Sequence, residues 1–188
     1  MSKHLDVGAT FPDFELSDEN GDRHRLSDLQ GDDFLVLMLG RGEHCPRERQ
    51  HQREMVRMHQ WCSVAFTQLV TVLPNGLHDV YKLKISTGAS WTYLADEDLE
   101  VQRHFEIDEY TDEHHRATVP HTVLLSPGLR IEKVYVGYWF WGRPSPEQLW
   151  LDLQELTMRV KDDYDPTLPA VRARFEEAQK ARAAAAAA

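Results

Sequence analysis

Eight consecutive residues, Arg41-Gly42-Glu43-His44-Cys45-Pro46-Arg47-Glu48, bring a nucleophile, cations and bases into one short stretch. A thiol reacts as its thiolate, and that anion is favoured at a helix N-terminus, where backbone N–H groups are unpaired and the helix dipole is positive. Pro46 suits the first helical position, where its missing N–H costs nothing. A long polar segment with Met55, Met58 and Trp61 at helical spacing follows it. Cys45 is therefore expected at the N-cap of a helix. Arg41, Arg47 and Arg49 can add positive charge near the sulfur, while Glu43 and Glu48 oppose it. His44 is a candidate base or ion-pair partner for the thiolate. Glu48, one turn along, is a candidate proton relay. The bland reading of a cysteine is a small buried hydrophobe, and Cys62, beside Trp61 and ahead of an apolar strand, fits it.

The elements that must position Cys45 are legible in outline. Two short strands flank Asn20-Gly21, a strong hairpin signal. Phe34 to Leu39 is a continuous apolar run of strand length, as expected of a central strand covered on both faces. The segment 65–73 reads as a second strand, 77–86 as a helix, Trp91 to Asp96 as a short strand and 97–105 as a helix. Segments 121–126 and 130–139 form a hairpin across Pro127-Gly128, so the sheet is mixed. Ser145 with Pro146 starts a last helix, whose Leu149, Leu153 and Leu156 share one face. The expected organisation is a domain over 1–160 and a helix-prone, charged tail over 161–188.

Composition narrows the partners. The 188 residues carry 31 acidic against 21 basic side chains, a net charge of −10, which repels polyphosphate and anionic lipid and leaves no basic stripe. Neither nucleic acid nor membrane is expected. No apolar run approaches the ~20 residues that span a bilayer, and the N-terminus lacks a signal-type apolar stretch. Two cysteines cannot form a disulfide framework and are expected as thiols in a reducing, cytoplasmic compartment.

The order of elements resembles the thioredoxin fold as elaborated in peroxiredoxins and other redoxins of AhpC-TSA type. Three pieces carry the resemblance: Val7-Gly8-Ala9-Thr10-Phe11-Pro12-Asp13-Phe14 with Leu26-Ser27-Asp28-Leu29 as the N-terminal extension, Cys45-Pro46 as the active-site turn, and Thr118-Val119-Pro120 ahead of a strand. The resemblance implies an α/β fold with a mixed sheet flanked by helices, and a cis Val119–Pro120 bond that packs against the turn. His121, just after it, becomes a second candidate base. The chain also departs from the pattern. Glu48 stands where a thioredoxin keeps its second cysteine, which excludes a dithiol cycle. Met38 and Gly42 stand where typical peroxiredoxins keep a proline and a threonine, and Pro120 or His121 where they bring an arginine.

Tyr138-Trp139-Phe140-Trp141 is the most unusual stretch, and Trp139 and Trp141 are candidate walls of a substrate pocket. A metal reading would draw on Cys45, His44 and His121, but a single thiolate falls short of the two used by thioredoxin-like copper proteins, so no metal or other cofactor is assigned. His114-His115 reads as solvated surface. The expected function is a thiol-dependent redox protein that reduces hydroperoxides or disulfides through Cys45. Its partners are a small-molecule oxidant and an external thiol, and a homodimer is open to it. The rivals are a non-catalytic binding or redox-sensing module and, behind it, a metallochaperone.

Overall fold

The computed structural model describes residues 5–137 and 141–186. The chain forms two units, Met1–Trp150 and Leu151–Ala188. Strands β1 (Glu15–Asp18) and β2 (Arg23–Arg25) make the opening hairpin. Its turn is tied by the Asp18 carboxylate, which accepts the N–H groups of Asn20 and Asp22 at 2.8 and 3.0 Å. Helix α1 (Leu26–Gln30), β3 (Phe34–Leu39), α2 (Pro46–Cys62), β4 (Thr67–Leu73), α3 (Leu77–Thr87), β5 (Thr92–Ala95) and α4 (Glu100–Phe105) follow. Then come β6 (His121–Ser126), β7 (Arg130–Val136) and α5 (Pro146–Val160). The tail carries α6 (Pro169–Ala186), which has no buried residue.

Seven strands form one sheet in the order β2-β1-β5-β4-β3-β6-β7. β3, β4 and β5 run parallel, whereas β6 lies antiparallel to β3 and β7 antiparallel to β6. The sheet is mixed, as expected. β4 rather than β3 occupies its middle place, although all six residues of β3 are buried. α4 starts at Glu100, three residues later than the sequence pattern suggests. The buried Asp96 carboxylate sets that start by accepting the N–H groups of Glu100, Val101 and Gln102, which the helix itself cannot pair.

Residues opposite one another in register share a face. One face carries Leu35, Leu37 and Leu39 with Val70, Val72, Leu94, Val123 and Leu125, and these pack with Phe11, Phe14 and Phe105 into the main core. The other face carries the row Tyr135, Thr122, Met38, Thr71 and Tyr93. α2 lies over this second face, since its Gln52 bonds both Thr71 and Tyr93. Its inward stripe is Glu48, His51, Gln52, Met55, Met58 and Cys62, polar in the first half and apolar in the second. Burial of Met55 and Met58, both fully covered, contributes roughly 1.5–3 kcal/mol each.

One expectation is corrected. The structure has no cis peptide bond among the described residues, so Val119–Pro120 is trans. The role assigned to a cis bond is filled by Thr118, whose N–H donates to the Arg41 carbonyl at 3.2 Å and so joins this strand to the Cys45 loop directly. Around it the Val119 N–H bonds the Ile107 carbonyl at 2.8 Å, and the Pro120 carbonyl accepts the Gly137 N–H at 2.6 Å. The segment is anchored on both sides without turning the proline.

Cys45 and Cys62, both free thiols, sit at opposite ends of α2, about 25 Å apart at ~1.5 Å per residue. A disulfide needs Cα atoms within ~7 Å. Cys62 is fully buried, and burial pushes its thiol up to about 12. At pH 7 that leaves a thiolate fraction of roughly 10⁻⁵. Mass spectrometry of iodoacetamide-treated protein is expected to find Cys62 unmodified in native buffer and modified only under denaturing conditions, with no Cys45–Cys62 bridge after one equivalent of peroxide.

Candidate active site

The loop that carries Cys45 is built around two glycines. A Cβ on Gly40 would lie 2.5 Å from Leu73 Cδ2 and 3.0 Å from the Glu48 carboxyl group. Gly42 has φ +135°, and a Cβ there would lie 2.8 Å from the His44 ring. A threonine at position 42, as in typical peroxiredoxins, would require the His44 imidazole to move, and a β-branched residue is strained at that φ. Cys45 follows with extended backbone, φ −83° and ψ 117°, as the N-cap of α2 with Pro46 next. It is 5% exposed.

Arg41 lies close enough to Cys45 to interact with it electrostatically. Its guanidinium pKa is raised, first by the hydrogen bond to Glu109 and then by the hydrogen bond and charge of Cys45, against the opposing effect of burial. Nε donates to Glu109 at 2.5 Å and Nη2 to Asp112 at 2.8 Å, while Nη1 lies 3.5 Å from His44 Nε2. The other charges near the cysteine are paired among themselves. Arg49 and Lys82 bind Glu43 at 2.8 and 3.1 Å and hold its carboxyl below the usual range against the cost of burial. Arg41, although itself paired with Glu109 and Asp112, is the arginine whose electrostatics are coupled to Cys45.

Glu48 is 1% exposed, and both of its carboxyl oxygens accept hydrogen bonds. Oε2 accepts the Arg41 backbone N–H and Arg143 Nη2, each at 3.0 Å, and Oε1 accepts Gln52 Nε2 at 2.8 Å. Burial alone would raise its pKa, but Arg143, followed by His51, Gln52 and the Arg41 N–H, brings it below the ordinary value. An anion held in this way fastens the loop to the helix. The chain of bonds continues inward: Gln52 Oε1 accepts Thr71 Oγ1–H at 3.1 Å and Tyr93 O–H at 2.8 Å, and Trp91 Nε1–H donates to Thr71 at 2.9 Å.

Arg143 comes from the segment between β7 and α5. Its side chain passes Gly137, where a Cβ would meet Arg143 Cγ at 2.9 Å and Pro120 Cγ at 3.2 Å. His51 Nε2–H donates to the Pro144 carbonyl at 3.3 Å and fixes this segment on α2. Burial depresses the pKa of His51.

The remaining candidates are placed as follows. His44 is half-buried, with its pKa lowered by burial and then by His115 and Arg41. Its ring stacks on His115 with centroids 3.7 Å apart and planes 3° from parallel. His115, expected as solvated surface, is exposed but has His44 as a ring partner, and it bonds Asp112 at 3.1 Å; its loop folds back onto the cysteine loop. His121 lies beside Leu39 and Val136 in register, on the face away from α2. Its Nδ1 is 2.7 Å from the Val119 carbonyl, and burial lowers its pKa. Pro120 is buried beside Arg143. Trp139 lies outside the described residues, and Trp141 is 84% exposed. An open cavity of ≈ 350 Å³ is lined in part by His44, His115, Asn75 and Arg116, but not by Cys45. Glu109, Asp112, Gln52 and Arg143 were missed in the sequence, since all but Gln52 lie far along the chain from Cys45 and none carries a local motif.

Removing Glu48 leaves Arg143 buried without its counter-charge, so Glu48→Ala is expected to cost about 3–5 kcal/mol in urea unfolding. Combining it with Arg143→Met should recover part of that loss in a double-mutant cycle. His51 and His121 give a second expectation. Above pH ~6.5 both are neutral folded or unfolded and add nothing. Below it the unfolded chain takes up protons that the folded chain refuses, so stability falls as pH falls. Urea titrations from pH 7 to 5 should show this decline, and His51→Gln should reduce its slope.

The family model of AhpC/TSA matches residues 7–134. Among solved structures, the peroxidoxin BcpB of Mycobacterium tuberculosis superposes with a TM-score of 0.71 at 16% identity, over 85% of this chain and 100% of its own. The AhpC of Enterococcus faecalis gives 0.70 at 14%, over 83% and 96%. The yeast mitochondrial 1-Cys peroxiredoxin, studied for its thiol resolving mechanism via glutathione and thioredoxin systems, gives 0.67 at 14%, over 82% and 78%. None of the curated proteins matches the sequence. With a family model spanning more than half its length and a fold shared with peroxiredoxins, the chain belongs to the AhpC/TSA family.

Proposed function

We propose that the protein is a thiol peroxidase that works through Cys45 alone. The observation that carries this reading is the meeting of two sources of positive potential at one sulfur: the N-terminus of the 17-residue α2 and the Arg41 guanidinium. Both place positive potential where the attacking sulfur and the leaving oxygen carry negative charge. The thiolate attacks the terminal oxygen of a hydroperoxide. An S–O bond forms and the O–O bond breaks, sulfur loses two electrons, and the departing alkoxide takes a proton to leave as the alcohol. Arg41, close to Cys45, is suited to stabilise that negative charge as it is handed over.

The sulfenic acid is then reset from outside. An external thiol displaces water to give a mixed disulfide, and a second thiol releases Cys45 with formation of the external disulfide. Cys62, buried at the far end of α2, takes no part. The systems named for the yeast 1-Cys protein, glutathione and thioredoxin, are the reductants to try first. Two free thiols fit a reducing, cytoplasmic setting, and no helix among the described residues is long and apolar enough to cross a membrane.

Stopped-flow oxidation by hydrogen peroxide and by cumene hydroperoxide, with mass spectrometry of the product, tests this. Cys45→Ser should abolish turnover and Cys62→Ala should leave it intact. Arg41→Met should slow sulfenic acid formation at least tenfold, the equivalent of about 1.4 kcal/mol. A wild-type protein whose Cys45 gains no oxygen would overturn the peroxidase reading and favour the binding module, for which the exposed Trp141 is one contact.

A further inference from the structure

Asp112 and His115 do more than peroxide chemistry asks of them. The Asp112 carboxylate closes the end of the His44–His115 stack, 3.6 Å from His44 Nε2 and 3.1 Å from His115 Nδ1. One donor atom from each of the three residues lies within 4.8 Å of the other two. Asp112 Oδ2 is 3.6 Å from His44 Nε2 and 3.2 Å from His115 Nδ1, and with a third edge of at most 4.8 Å the centre of that triangle lies within about 2.4 Å of every corner, close to the ~2.0–2.2 Å bonds of Zn²⁺ to imidazole nitrogen and carboxylate oxygen. Two imidazoles with one carboxylate form a donor set that suits borderline divalent transition metals. The ≈ 350 Å³ cavity lined by His44 and His115 gives an entry path and room for water as a further ligand.

A cation already sits there. Arg41 Nη2 is 2.8 Å from Asp112, and Nη1 is 3.5 Å from the same His44 nitrogen that would bind the metal. We propose that His44, Asp112 and His115 form a site for a divalent transition-metal ion of the Zn²⁺ type, which exchanges with the Arg41 guanidinium. For the ion to bind, the two rings, now parallel, must fan apart so that both lone pairs aim at it. His115, with its side chain 46% exposed, is free to turn. Ligation through Nδ1 places the His115 ring proton on Nε2. Arg41 gives up Asp112 and keeps Glu109, which draws it off Cys45. A bound ion therefore lowers the reactivity of the thiol without touching the sulfur.

The test has two arms, and the first is independent of the peroxidase reading. Full-length Cys45→Ser protein, which has no accessible thiol, is titrated with zinc chloride by calorimetry. One equivalent should bind, and adding His115→Ala should weaken binding at least tenfold. Failure of zinc to bind, or equal affinity in the His115→Ala background, overturns the site. In the second arm, one equivalent of zinc should slow iodoacetamide alkylation of Cys45 several-fold in the wild-type protein, with the zinc-free rate kept in His115→Ala. Equal slowing in both would mean that zinc binds the thiolate itself, and no slowing in either would mean that the ion and Arg41 do not compete; each result overturns the exchange.

Discussion

The Glu48 carboxylate is an anion in a place that excludes water, and the structure around Cys45 is arranged to make that tolerable. Its oxygens receive a backbone N–H from the loop before the cysteine, a guanidinium from the segment before α5, and an amide from the next turn of its own helix. Each donor arrives from a different part of the chain, so satisfying one charge fixes three pieces relative to one another. The position of Arg41, and through it the electrostatics at the sulfur, depends on this knot. A buried pair of this kind adds little net stability, because desolvation offsets most of the attraction. What it contributes here is placement.

The inward face of α2 follows from the same constraint. A helix packed on a sheet ordinarily turns an apolar stripe toward it, but α2 turns Glu48, His51 and Gln52 inward before reaching Met55, Met58 and Cys62. The polar half lies under the active-site loop and the apolar half over the rest of the sheet. Tyr93, Thr71 and Trp91 complete the polar half from below, with their hydroxyl and indole groups paired to Gln52 or to each other. Replacing Thr71 with an apolar side chain would strand the Trp91 N–H, and replacing Gln52 would strand the Tyr93 hydroxyl.

How much of this could be read in the sequence follows from its physics. β3 was legible because six consecutive apolar residues have few other uses. The N-cap at Cys45 was legible because Pro46 marks a first helical turn. The hairpin at Asn20-Gly21 and the start of α5 at Ser145-Pro146 rested on equally local chemistry. The site beyond Cys45 and Arg41 was not legible, because its partners meet only through the fold. Glu109 and Asp112 lie in a loop nearly seventy residues on, and Arg143 follows an aromatic run that drew attention to itself. Glu48 was noticed for its nearness to the sulfur and weighed as a proton relay, since nothing local reveals that Arg143 pairs with it. The trans bond at Pro120 corrected an expectation taken from the resemblance rather than from the residues.

The space beside Gly42 has a consequence for anyone redesigning the loop. Because the His44 ring fills the volume that a side chain at position 42 would need, and the backbone there is at φ +135°, the two positions cannot be varied independently. A threonine at 42 calls for a smaller or displaced side chain at 44 and a loop of different curvature. Substitutions at 42 and 44 are therefore non-additive, as expected of residues that share one volume.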